Sequence, residues 1–330
     1  MKRRLRAVRQ GMLYRWWPLR AVMRRLQPRA LVLLYHRVGD TSFDPHRLSV
    51  TPPSFERHMQ LLRRHFRIES VGALLQRLPG REYEDRTVAV TFDDGYADNL
   101  THAQPIAARS DIPITVFVTV QPMLDGGLFW WDELAASLLH PLASFTSLTL
   151  HLDDQHTFSL ADRGQRSAVH QRLHTLLRHM RAGDRERALA AVRSCAAPPG
   201  VGLQLGRPMS ASELRELAAL PGVTIGAHTM THPILGVLSA TDQMHELVAS
   251  KTALEDLLGR PVTLASYPFG QAADISEDTC RLAMQAGYSA AFTTMPSAVT
   301  PSTPRCALPR LIVHDWPDET LMRRLSAYLG

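Results

Sequence analysis

The chain has 330 residues, enough for one large α/β domain or two smaller ones, and its 45% apolar and 21% charged content is ordinary for a soluble globular fold. The net charge is +6, yet ten of the 37 Lys and Arg lie within residues 1–30, and the remaining 300 residues carry 27 basic against 31 acidic side chains, which counts against a nucleic-acid partner for the folded body. Cys195, Cys280 and Cys306 are widely spaced with no C-x-x-C pair, which argues against a disulfide framework or thiolate metal site and fits buried, reduced thiols in a reducing compartment.

Residues 1–29 form a basic segment. Leu5, Val8, Met12, Trp16, Leu19, Met23 and Leu26 recur at helical spacing with arginines between them, and Pro18 interrupts or kinks the helix. An Arg-rich amphipathic helix carrying Trp16 and Trp17 suits an anionic membrane surface; a helix that packs its stripe on the domain is the other reading. The segment lacks the unbroken apolar stretch and small-residue cleavage site of a secretory signal, and the apolar run 31–35 is too short to cross a bilayer. The expected location is therefore cytoplasmic, peripheral on the inner face of the cytoplasmic membrane if the segment binds there.

From residue 30 onward, short runs rich in β-branched residues read as strands at 31–36, 87–92, 114–120, 223–228, 262–267, 289–294 and 308–314. They are continuous rather than alternating, as strands buried on both faces are. Helical patterns fall between them at 53–65, 70–77, 99–109, 210–220, 241–258 and 274–286, with Ser210 and Glu213 as a capping box. This alternation predicts a parallel α/β fold of about seven strands. One stretch, about 125–208, departs from the rhythm and reads as an insertion: a helix at FWWDELAASLL, a hairpin turning at Asp153 and Asp154, helices near 165–181 and 184–195, then a loop. Phe129, Trp130 and Trp131 at its start either wall a ligand site or anchor the insertion's own core. The whole of 30–330 is read as one domain with this insertion.

Chemistry-bearing residues gather at strand ends. His36 ends the first strand, Asp93 and Asp94 the second, His228 the fourth, Tyr267 and Pro268 the fifth, and His314 the last. In parallel barrels the loops after strand C-termini form the active-site mouth. In TFDDGYADN, two adjacent acids followed by Gly95 are costly to bury without a cation, although Asp-Gly is also a common exposed turn. In HTMTHP, His228 and His232 stand four apart, so a helical turn or tight loop lets both imidazoles reach one ion. With one carboxylate they would form a two-His, one-carboxylate site for a divalent metal.

TFDDG followed by HTxxHP resembles the polysaccharide deacetylase family (the NodB-homology domain, carbohydrate esterase family 4), over roughly 31–124 and 209–316. The resemblance implies a distorted (β/α) barrel, with Asp94, His228 and His232 as metal ligands, Asp93 as general base and the Tyr96 N–H as oxyanion donor. SYPFG resembles the family's third motif, so Tyr267, Pro268, Phe269 and Gly270 would line the substrate. That motif usually begins with an Arg that orients the base; here Ser266 stands in its place, and Arg310 is a candidate substitute. LLYHRV resembles the opening strand of circularly permuted biofilm-polysaccharide deacetylases, which makes His36 the expected general acid and His314 the alternative.

The implied activity is metal-dependent removal of an N-acetyl group from an amino sugar of a bacterial cell-surface polysaccharide or its lipid-linked precursor. The implied cofactor is one divalent ion, Zn first, with Co, Ni or Mn as others. Alternatives are a deformylase of a lipid-linked formamido sugar and an inactive carbohydrate-binding homologue. Glycoside hydrolysis is disfavoured, because adjacent Asp93 and Asp94 do not face each other across a bond as two carboxyls at ~5 Å or more must.

Overall fold

The computed structural model of the chain describes residues 29–40, 44–78, 86–140, 145–151, 155–195 and 206–329. Among these described residues the strands are β1 (Ala30–Tyr35), β2 (Arg37–Val38), β3 (Ser49–Val50), β4 (Arg67–Ile68), β5 (Thr87–Phe92), β6 (Ile114–Val118), β7 (Ser147–His151), β8 (Gln155–Ser159), β9 (Val223–Ala227), β10 (Leu264–Ser266), β11 (Ala290–Phe292) and β12 (Leu311–Ile312). Seven of them form one parallel path in the order β11-β10-β9-β6-β5-β1-β12, and β4 pairs with β5 beside it. A parallel bridge between Phe292 and Leu308 brings β11 to the segment leading into β12, so the sheet curls toward closure. The fold is the distorted (β/α) barrel expected from the sequence.

The continuous apolar runs explain this arrangement. All six residues of β1 and of β5 are buried, and alternate side chains serve two different cores. Leu31, Leu33, Tyr35, Val88, Val90 and Phe92 belong to the large core shared with the surrounding helices. Ala30, Val32 and Ala89 join Phe117, Leu264 and Phe292 in another, against which the helix Val71–Arg77 packs. A strand with both faces covered has no polar side to show, hence no alternation in its sequence.

Several boundaries differ from the sequence reading. The last strand is two residues long rather than seven, because its flanks run as irregular backbone. The stretch 99–109 divides into a π-helical turn, Asn99–Ala103, and a helix Gln104–Arg109, with Pro105 at the junction. A short helix Val120–Asp125 and a C-terminal helix Asp318–Leu329 were not foreseen. The capping box is present: Ser210 Oγ accepts from the Glu213 N–H, and the Glu213 carboxylate accepts from the Ser210 N–H at 2.8 Å. Cys280 and Cys306 are free thiols, half-buried rather than buried, and the Cys195 side chain lies outside the described residues.

The insertion contains the expected helix (Trp130–Leu139), the antiparallel hairpin β7–β8 and two further helices, Arg163–Leu177 and Ala182–Cys195. Its Asp153–Asp154 turn lies outside the described residues, as does nearly all of the basic segment 1–29. The insertion builds its own core from Phe129, Trp130, Trp131, Leu134, Leu148 and Leu173, and that core also takes in Tyr96 from the barrel. Among the described residues no helix is long and apolar enough to cross a membrane.

Gly226 lies in β9, two residues before His228, with its missing side chain directed at β6. A Cβ there would come within 2.4 Å of the Phe117 ring and 3.0 Å of the Leu264 carbonyl oxygen. Gly226→Ala is expected to destabilise the fold by about 1–3 kcal/mol through overpacking, read as a lower urea midpoint with an unchanged m-value.

Candidate active site

The site is assembled from the ends of β1, β5, β9, β10 and β12. Asp93 and Asp94 follow β5 directly. The Asp93 N–H donates to the Tyr35 carbonyl at 3.0 Å, which continues the β1–β5 ladder by one bond, and the chain then turns sharply. Asp94 takes φ +72° and Gly95 φ +84°. A left-handed conformation costs a non-glycine residue about 1–3 kcal/mol, and such strain collects where function needs an unusual side-chain direction. At Gly95 a side chain would also press on Val118, with contacts as short as 3.1 Å.

His228 and His232 reach the same place through a tight loop rather than a helical turn. Thr229 (φ +64°) and His232 (φ +56°) both sit in the left-handed region. The loop is gripped by Glu246, whose carboxylate accepts from the N–H groups of Met230 (2.8 Å) and Thr231 (2.9 Å) and from the Thr231 hydroxyl (2.6 Å). Asp94 Oδ1 lies 3.6 Å from His228 Nε2 and 3.5 Å from His232 Nε2. One ligand atom from each of the three falls within 4.8 Å of the others, and all three residues are buried.

The donors have the character a divalent cation needs. His228 Nδ1 donates to the Ser266 carbonyl at 2.8 Å, which leaves the lone pair on Nε2 facing Asp94. Burial lowers the pKa of both imidazoles, and for His232, with Arg185 adding to the effect, it reaches about 3. Both rings are therefore neutral, the ligating form. Burial also raises the Asp94 carboxyl above its ordinary range, against the pull of His36 and His228. Two neutral nitrogens and one buried carboxylate that, among the described residues, has no Lys or Arg in bonding contact fit a single divalent metal.

Asp93 is held differently. Arg310, fully buried, donates Nη1 to Asp93 Oδ1 at 2.7 Å and Nη2 to Asp93 Oδ2 at 2.6 Å. Ser266 Oγ accepts from Arg310 Nη2 at 2.6 Å and donates to Asp93 Oδ2 at 3.0 Å. Burial alone would raise this carboxyl, but the Arg310 guanidinium, by its charge and its hydrogen bonds, outweighs it and holds it well below the usual carboxylate range. The serine that replaces the expected arginine on β10 and the arginine beside β12 thus bind the same carboxylate together.

His36 shares this electrostatic environment. Burial lowers its pKa, while Asp94 and Asp93 oppose that and Arg310 and His228 add to it. Its carbonyl accepts from Asn99 Nδ2 at 2.9 Å, which fixes the backbone at the end of β1. His314 is placed elsewhere: its Nδ1 donates to the Arg47 carbonyl at 2.9 Å, and it lines a cavity of about 470 Å³ with Gln271, Thr294 and Trp316. The structure brings His36 to the carboxylates and leaves His314 apart from them.

Tyr96 follows Gly95, and its N–H has no acceptor among the described residues. Its hydroxyl donates to Asp132 Oδ2 at 2.7 Å and accepts from Trp131 Nε1 at 2.8 Å. Burial pushes the Asp132 carboxyl up to about 7, against the pull of Arg37. Of the SYPFG residues, Tyr267 turns into the main core and donates its hydroxyl to the Cys306 carbonyl at 2.9 Å, so its side chain is withdrawn from ligand contact, contrary to expectation. Pro268 and Gly270 are buried, with Gly270 at φ +63° against the Thr293–Thr294 backbone. Phe269, half-buried, faces the site, its ring 5.0 Å from that of His232. Phe129, Trp130 and Trp131 are buried anchors of the insertion, and the Trp131 ring lies 4.4 Å from His232. The sequence reading missed Ser266 as a partner of Asp93, along with Glu246 and Asp132. Only the acid at the end of an aromatic run, FWWD, offered a visible signal.

The family model of polysaccharide deacetylases matches residues 80–179 and 200–291. The chain belongs to the polysaccharide deacetylase family. A relative from Bacillus subtilis (strain 168), YxkH, whose name places it among polysaccharide deacetylases, is 21% identical over 284 residues, covering 86% of this chain and 70% of that protein. Among solved structures, Streptococcus pyogenes deacetylase PplD in complex with acetate superimposes with a TM-score of 0.59 at 16% identity, over 91% of this chain and 99% of that one. IcaB from Ammonifex degensii gives 0.60 at 16% identity, over 92% and 98%. These structural likenesses speak to the fold.

Arg310→Met is expected to leave Asp93 buried without its cation. The cost is about 3–5 kcal/mol of unfolding free energy, larger than for most single changes. Burial would then dominate and raise the Asp93 pKa, so any activity that needs the carboxylate would lose its acid limb at a higher pH than in the wild type. A pH–rate profile and a denaturation curve on the same protein check both effects.

Proposed function

We propose that this polysaccharide deacetylase hydrolyses the amide of an N-acylated amino sugar, acetyl before formyl, in a cell-surface glycan or its lipid-linked precursor. The observation that carries the proposal is Asp93: a carboxylate held ionised by Arg310 and Ser266, directly beside a buried Asp94–His228–His232 cluster suited to a divalent cation. Asp94, His228 and His232 would hold the ion, zinc first, with Co, Ni or Mn as alternatives. When bound, it would polarise the scissile carbonyl and acidify a water.

The remaining chemistry belongs to the chain's own groups. Asp93, kept ionised by its salt bridge, takes the proton from the attacking water. The Tyr96 N–H, without another acceptor among the described residues, donates to the developing oxyanion. His36 delivers a proton to the departing amine, which is a poor leaving group while unprotonated. Phe269 borders the site beside His232 and would contact the sugar. In this reading residues 30–330 are the catalytic domain, and the basic segment 1–29 holds the enzyme to an anionic membrane, on the cytoplasmic side.

The assay is release of acetate and formate from a panel of N-acylated sugars, with chelator and with added zinc. Metal-dependent acetate release is the expected result; formate instead would make the enzyme a deformylase. Asp94→Ala should lose bound metal, and Asp93→Asn should keep it while losing most turnover. Retention of metal at full stoichiometry by the first, or of activity by the second, removes that residue from its role. No release by a metal-loaded wild type across the panel would favour a carbohydrate-binding role.

For the N-terminal segment, the test is sedimentation with anionic vesicles. A chain lacking residues 1–29 should bind them less and keep its soluble turnover; equal binding would rule the segment out as the anchor.

A further inference from the structure

The insertion helix Trp130–Leu139 starts against the catalytic loop. Asp132, in its first turn, is 6% exposed. Tyr96 donates its only hydroxyl proton to this carboxylate at 2.7 Å, and the same phenol oxygen accepts from Trp131 Nε1 at 2.8 Å. Phe129 packs on the Tyr96 ring with centroids 4.5 Å apart, and the Arg37 guanidinium stands 5.0 Å from the ring on its way to Asp98. A phenol with one donor bond, one acceptor bond, an aromatic neighbour and a cation has its orientation fixed.

That orientation matters because of what lies on the other side of the residue. Tyr96 joins Asp94 through Gly95, the position with the widest backbone freedom in the loop. A glycine hinge does not by itself hold the next peptide in one place. The Tyr96 peptide is held instead from its side-chain end and by strand-like bonds on either side, from Ala97 N to Arg207 O at 2.9 Å and from Met209 N to Gly95 O at 2.9 Å. If core filling were the only need at residue 132, an apolar side chain would meet it without desolvating a carboxyl.

We propose that Asp132 is a positioning residue for hydrolysis: through the Tyr96 hydroxyl it fixes the Tyr96 N–H at the place where the oxyanion develops. This rests on the function proposed above, in which that N–H is the oxyanion donor. The insertion is thereby a working part of the active site, acting on the oxyanion loop through Asp132 and on a ligand ring through Trp131.

The test uses the full chain with zinc restored and the variants Asp132→Leu, Asp132→Asn and Tyr96→Phe. Asp132→Leu and Tyr96→Phe should lower kcat on the order of a hundredfold, the scale of a misplaced catalytic group, with KM and bound zinc unchanged. Asp132→Asn, whose amide oxygen still accepts from the phenol, should restore most of the rate. Hydrogen exchange of the backbone amides in 93–97, measured without substrate, should quicken in Asp132→Leu and Tyr96→Phe and stay near wild type in Asp132→Asn.

Unchanged exchange with unchanged kcat overturns the proposal. So does an Asn variant as slow as Leu, or a loss of zinc that accounts for the loss of rate. If the wild type releases no acyl group at all, the proposed function fails on its own, and the exchange pattern alone decides whether Asp132 positions the loop.

Discussion

The structure depends on keeping one carboxylate charged in the interior. Asp93 is 1% exposed, and a lone ion there would be too costly to persist. The chain meets that cost with the bidentate guanidinium of Arg310 and the hydroxyl of Ser266. Once these bonds are made, Asp93 has no rotational freedom, and its pKa lies far from neutrality. The adjacent Asp94 has the opposite environment: burial without a bonded cationic side chain raises it and leaves it in need of a counterion. Two neighbouring acids thus differ by what each of them touches, Asp93 holding a guanidinium and Asp94 facing two imidazoles.

The ordering of the loops follows from the same need for direction. Asp94, Thr229, His232 and Phe269 all adopt left-handed backbone angles, and they all surround the cluster. Three of them sit in loops braced from outside the barrel strands' own ladder: Glu246 grips the histidine loop, Gly270 lets the Phe269 turn pass against Thr294, and Arg178 from the insertion lies over Phe269 at 4.4 Å. Strain of this kind persists only where surrounding bonds over-determine the backbone.

Much of this was legible in the sequence. Runs such as TVAVTF and ALVLLY announce strands buried on both faces, and the parallel order follows from the helices between them. The Asp94–His228–His232 cluster was readable as a candidate because its residues fall in two short motifs at strand ends. The role of Arg310 was legible only as a question, posed by Ser266 standing where an arginine was expected; the answer required knowing that residues 44 positions apart meet at one carboxylate. Asp132 was legible only as an acid closing the aromatic run FWWD and Glu246 not at all, since each acts through a contact across elements. Tyr267 misled for a related reason: the motif gave its place on the chain but not the inward turn of its side chain. The last strand was read too long because an apolar run does not distinguish paired from irregular backbone.

The seam of the barrel is where these strands of the structure meet. The terminal strands of the path, β11 and β12, are not paired with each other; β11 meets instead the segment leading into β12, through the bridge at Phe292 and Leu308, so each presents an incompletely paired edge. Arg310 stands at that seam, with Nε on the Thr293 carbonyl at 3.0 Å past the end of β11 and its other nitrogens on Asp93 past the end of β5. The same guanidinium therefore acts as a rivet across the gap. Neutralising Asp93 would loosen its hold on this guanidinium and slacken the closure, so the charge of one buried carboxylate and the mechanical integrity of the barrel mouth share one proton.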